Sequence, residues 1–77
     1  MKTSNSNVIV YVKQPVHREQ TRAISEAIGA LHGVISARTS GRTEKVIYVD
    51  YNPRAVDSQH ILKRVSEQGY NARLVGM

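Results

Sequence analysis

Apolar positions along the chain repeat with two different periods. From Val8 to Val12 (Val8-Ile9-Val10-Tyr11-Val12) every residue is β-branched or aromatic, which suits a central strand covered on both faces. Pro15 cannot donate to a ladder and ends that strand. The period then changes. Ile24, Ala27, Ile28 and Leu31 fall at i, i+3, i+4 and i+7 and predict one apolar stripe on a helix. Glu19 sits in the first turn, where negative charge complements the helix dipole, and Gly33 is expected as the C-cap. Residues 34–39 read as a second strand, Ser40-Gly41-Arg42-Thr43 as a hairpin connection, and 45–51 as a third strand closed by Asn52-Pro53,. Asp57 is a suitable N-cap for a second helix whose inner side is Ile61, Leu62 and Val65,. Gly69 stops that helix, and residues 70–75 return as a fourth strand.

The predicted order is β-α-β-β-α-β, two split β-α-β halves joined by a hairpin. Right-handed crossovers then place both helices on one face of a four-stranded antiparallel sheet, an α+β sandwich of the ferredoxin-like kind. Strand alternation points Val8, Val10, Val12, Ile47, Val49, Tyr51, Ala72 and Leu74 toward the helices. It points Ile9, Tyr11, Arg38, Val46, Tyr48, Arg73 and Val75 to the open face, an unexpectedly apolar and aromatic set for a surface. Residues 1–7 offer nothing to bury and are expected to be disordered, leaving 8–77 as a single domain.

The chain has 77 residues, with eleven Lys and Arg against six Asp and Glu, a formal charge of +5. A net positive field favours anionic partners, such as nucleic acid or an acidic protein surface. The basic residues are dispersed and form no run. The absence of cysteine excludes disulfides, thiolate zinc sites, iron–sulfur clusters and cysteine nucleophiles together. No apolar run approaches the ~20 residues of a membrane span, so a soluble, cytoplasmic protein without membrane insertion is expected.

Several blocks in this order resemble the heavy-metal-associated domains of small copper chaperones and metal-transporting P-type ATPases. They are Val10-x-Val12, Ile24 with Ala27-Ile28, Leu31-His32-Gly33-Val34, Val49-Asp50-Tyr51-Asn52-Pro53, Asp57-x-x-x-Ile61 and Glu67-Gln68-Gly69-Tyr70-Asn71-Ala72-Arg73-Leu74. The resemblance spans nearly the whole chain and implies the same sandwich. Its functional motif is missing. Metal-carrying members place Met-Thr-Cys-x-x-Cys in the first loop, and here the corresponding stretch reads Pro15-Val16-His17-Arg18-Glu19-Gln20. His17 stands at the first cysteine and Gln20 at the second. Soft monovalent copper prefers sulfur, so carrier activity is not carried over.

The first loop keeps one candidate ligand pair, His17 with Glu19, which could hold a divalent metal ion. Tyr70 corresponds to a family residue that packs beside the metal loop. One imidazole and one carboxylate fall short of the roughly three or four protein ligands of a zinc site, so an exposed polar residue is the preferred reading of His17. Loop-to-loop pairing of two copies could supply the missing ligands. His32 is expected near the C-terminus of the first helix and His60 on the surface, neither with a metal role. On the open face, Tyr11 and Tyr48 flanked by Arg38 and Arg73 suggest the stacking platform of an RNA-recognition motif, yet the third strand lacks that module's aromatic signature. Contact with a protein, as a homodimer or with a separate partner, is the preferred reading of that face, with Ile9 and Val46 completing it.

Catalysis is not expected. Acylphosphatases share the fold and bind phosphate with an Arg in the first loop, but no Asn on the second or third strand here accompanies Arg18. Ser25, His17 and Asp57 do not align as a nucleophile, base and orienter. The sequence therefore predicts a small binding or adaptor protein that docks to a partner, an acidic one by charge, with weak non-thiolate metal binding at the first loop. Single-stranded RNA binding through the open face is the alternative.

Overall fold

A computed structural model describes residues 5–76. Its elements run β1 (Ser6–Val12), α1 (Arg18–Gly29), β2 (Val34–Thr39), β3 (Val46–Tyr51), α2 (Ser58–Glu67) and β4 (Ala72–Gly76). The four strands form one antiparallel sheet in the order β2-β3-β1-β4, the ferredoxin-like βαββαβ sandwich that the two periods predicted. Among the described residues no helix is long and apolar enough to cross a membrane.

One face of the sheet and the inner faces of both helices share a single core. Val8, Val10, Val12, Ile47 and Val49 meet Ile24, Ile28, Ile61 and Val65, and all are buried. Tyr51, Ala72 and Leu74 pack on the same cluster, so every residue assigned to that face by alternation lies there. Truncating a buried Ile to Ala costs about 2–5 kcal/mol, a large share of the roughly 5–15 kcal/mol that stabilises a small domain.

The boundaries differ from expectation in four places. β1 begins at Ser6 and takes in the last two residues of the stretch expected to be disordered, because Ser6 and Asn7 pair with Tyr51 and Asp50. A backbone ladder does not need apolar side chains to extend. Asn5 precedes the strand, and residues 1–4 of that stretch lie outside the described residues. β4 begins at Ala72 rather than at residue 70, because Tyr70 is used to close α2. The Tyr70 N–H donates to the Val65 carbonyl (3.4 Å) and the Gly69 N–H to that of Ser66 (2.9 Å), a Schellman closure with Gly69 at φ +92°,. β3 starts at Val46, one residue late. Finally, α1 ends at Gly29 with Ala30 as its C-cap, so Gly33 is not the cap and His32 lies beyond the helix.

Gly33 does different work. At φ +97° it turns the chain into β2, and a Cβ there would lie 2.7 Å from Ala55 Cβ and 2.9 Å from Val56 Cγ1. At Gly69 nothing lies within 4 Å of an added Cβ. Gly33→Ala therefore meets both backbone strain and a collision and should cost about 2–4 kcal/mol. Gly69→Ala meets strain alone and should cost about 1–2 kcal/mol, a ranking that urea unfolding of the two variants will check.

Asp57 caps α2 as expected. Its Oδ1 accepts from the His60 backbone N–H (2.9 Å) and lies 2.9 Å from His60 Nδ1. The backbone N–H of His60, and then its ring, hold the Asp57 carboxyl below its ordinary value of 3.8. A carboxylate whose folded-state value is depressed contributes stability above its unfolded value and loses it as pH falls through the folded one. The stability gap between wild type and Asp57→Ala should therefore be present at neutral pH and close as pH drops below about 3.8, read from urea midpoints across that range.

Candidate functional site

The loop between β1 and α1 is fastened on both sides. The Lys13 N–H donates to the Asn71 carbonyl (2.8 Å), and the Asn71 N–H donates to Gln14 Oε1 (2.7 Å). Val16 and Tyr70 are half-buried and pack on the core, while Pro15 is exposed. His17 is the N-cap of α1 in extended conformation (φ −90°, ψ 159°). Its backbone N–H donates to Gln20 Oε1 (2.7 Å), the return half of a capping box.

The first turn of α1 is tied to the connection between β2 and β3. Thr21 is fully buried, and its hydroxyl bonds the carbonyls of Glu44 and His17, the latter at 3.2 Å. Arg18 reaches the Ser40 carbonyl (3.4 Å) and the Glu44 carboxylate (3.7 Å). Thr21, Gln14 and Asn71 were not singled out from sequence. Thr21 shares the helical period of Ile24 and Ile28, and the His17-x-x-Gln20 spacing is that of a capping box, so two signals were available.

The side chains of His17 and Glu19 are exposed. Among the described residues no three His, Cys, Asp or Glu side chains come together. The donors in the loop do not fit thiolate-bound copper. The Gln20 side-chain oxygen is occupied by the helix cap. Met1 and Met77, the chain's two thioethers, lie outside the described residues. A divalent ion would find no more than the His17 imidazole and the Glu19 carboxylate, with other coordination positions left to water. Ser25, buried, donates to the Arg22 carbonyl (2.8 Å), and Asp57 is committed to the α2 cap, so the Ser25, His17 and Asp57 set does not form.

The second candidate surface is the open face of the sheet. Strand register places Arg38, Tyr48, Ile9 and Val75 in one row across it, and Val46, Tyr11 and Arg73 in the next. Tyr48 and Val75 are exposed at 43% and 37%, and with Ile35 at 55%, on the β2 bulge, they are the large exposed apolar side chains among the described residues. Ile9, Tyr11 and Val46 are half-buried, and Arg38 and Arg73 exposed. The Arg73 guanidinium lies 5.4 Å and Lys45 Nζ 5.8 Å from the centre of the Tyr11 ring, within cation–π range.

No protein-family model and no curated protein sequence matches this chain. Solved structures do. A copper binding domain from HMA7, a P-type ATPase, superposes with a TM-score of 0.82 at 17% identity, covering 92% of this chain and 95% of that one. Oxidized MerP from Ralstonia metallidurans gives 0.82 at 17% identity, over 92% and 97%. The CopZ metallochaperone gives 0.77 at 22% identity, over 88% and 100%. The chain thus has the fold of the heavy-metal-associated domains, built without cysteine.

If the loop keeps the backbone of a carrier and has lost only its sulfur, the thiolates can be put back. The double variant H17C/Q20C should fold, with about 1 kcal/mol lost with the Gln20 acceptor, and should compete for Cu(I) against a chromophoric chelator where wild type does not. A double variant that competes no better than wild type would show that the loop no longer has a carrier's geometry.

Proposed function

We propose that this protein is a sulfur-free binding module on a metallochaperone fold, which docks to a protein partner through the open face of its sheet. The observation that carries this reading is the concentration of exposed apolar side chains on one face, Tyr48 and Val75 beside half-buried Ile9, Tyr11 and Val46. Burying apolar surface contributes about 25 cal/mol per Å², and a contiguous apolar patch on a small soluble domain marks an interaction site. At the first loop, His17 with Glu19 supports only weak binding of a divalent ion.

The two tyrosines and the basic charge also suit single-stranded RNA. Base stacking needs a free ring face, and the Tyr11 ring already carries Arg73 and Lys45. That arrangement favours a protein over a nucleic acid.

Site-specific photo-crosslinking in the host cell separates these readings. A photoreactive phenylalanine replacing Tyr48 should give a discrete protein adduct, and the same group replacing Lys63, exposed on α2, should not. Adducts from the Lys63 position alone, or a gel shift with single-stranded RNA that weakens with salt, would overturn the proposal.

A further inference from the structure

The open face carries two unequal depressions that meet at Tyr48. One, of about 410 Å³, is walled by residues 38–42 and Tyr48. The other, of about 150 Å³, has Ile9, Val49 and Asp50 in its wall, and Arg38 and Tyr48 line both. In the larger one the Ser40 hydroxyl accepts from the Arg42 N–H (3.0 Å) and the Ser40 carbonyl from Arg18. The side-chain groups left to offer include the Arg38 and Arg42 guanidinium groups and the Thr39 and Tyr48 hydroxyls. Among the described residues neither Arg38 nor Arg42 pairs with a carboxylate.

The charge around the face is one-sided. Arg38, Arg42, Lys45 and Arg73 stand against Asp50 on the strands and Glu44 in the turn, and Glu44 pairs with Arg18 (3.7 Å). Asp50 is already held, because Ser36 Oγ donates to its Oδ2 (3.1 Å) and the Asn7 amide, with its nitrogen toward the carboxylate, reaches Oδ1 (2.6 Å). A second copy of this chain laid face to face would bring four cations against four, and like-charge juxtaposition is costly at an interface. Guanidinium groups match carboxylates in geometry as well as sign. The aliphatic surface of Ile9 and Val75 matches an apolar side chain better than a base.

We infer that the open face takes an acidic segment of a partner protein. One carboxylate of that segment sits between Arg38 and Arg42, and a neighbouring apolar side chain lies over Ile9 and Tyr48. This inference rests on the docking proposal and specifies its partner.

An NMR titration tests it, with a short peptide of alternating Glu and Leu as the probe and a Lys-Leu peptide and oligouridine as comparisons. The Glu-Leu peptide should shift the amides of residues 38–42, Tyr48 and Ile9, and the other two should not. R38S/R42S should weaken Glu-Leu binding roughly tenfold or more, as expected when charge-assisted hydrogen bonds are lost, with the rest of the spectrum unchanged. R38K/R42K, which keeps charge without the fork, should recover part of that loss. Equal affinity for R38S/R42S, shifts centred on Arg22 and Lys63 of the helices, binding of oligouridine at the same residues, or self-association through this face without peptide would each overturn the inference. If it fails while the Tyr48 crosslink still yields a protein adduct, docking stands with a partner of different chemistry. If both fail, the docking proposal falls with it.

Discussion

The central strand β1 is apolar on both faces, and the fold has helices for only one of them. It pairs on both edges, with β3 and β4, so Val8, Val10 and Val12 must point one way while Ile9 and Tyr11 point the other. The first set, with Ile47 and Val49, meets α1 and α2 and disappears from solvent. The second set has only its neighbours on the sheet. Tyr48, Val46 and Val75 extend the apolar character sideways, and Arg38, Lys45 and Arg73 border it. A period of two admits no compromise, since a one-residue slip would exchange the faces and destroy the core. The open face is therefore fixed in composition by the same register that builds the interior.

The loop before α1 is held by its own side chains. A loop that carries a metal has to leave its ligands free, and here the polar side chains of the loop are put to structural use. The Gln20 side chain satisfies the orphan N–H of His17, the His17 carbonyl accepts from the Thr21 backbone and hydroxyl, and Arg18 and Thr21 bind the helix start to the segment before β3. Gln14 does the same toward Asn71. These contacts hold the N-terminus of α1 in place without a metal, and His17 keeps only an exposed imidazole.

Much of this was legible in the sequence, for stated physical reasons. Element order, the alternation of Val8, Val10 and Val12, the stripe of Ile24 and Ile28, and the Asp57 cap all follow from local periodicity and capping chemistry, and each is found in the structure. The start of β1 was missed because Ser6 and Asn7 join the ladder through backbone pairing that their side chains do not announce. A glycine shortly after a helical stripe suggests a cap, since a cap often needs positive φ. For Gly33 the need arises instead at the entry to β2, where Ala55 and Val56 crowd it from a distant segment. The placement of Arg42 beside Arg38 and Tyr48, and of Lys45 over Tyr11, depends on register and turn geometry that no single stretch encodes.

The claim on which this account depends is that the open face is covered in the cell. Hydroxyl-radical footprinting of the protein, first purified and then in its host extract, measures that coverage residue by residue. The account predicts that Tyr48, Ile9 and Val75 lose reactivity in the extract while His17 and the exposed positions of α2 keep theirs. Unchanged reactivity on the open face, with protection at His17 or on α2 instead, would contradict it.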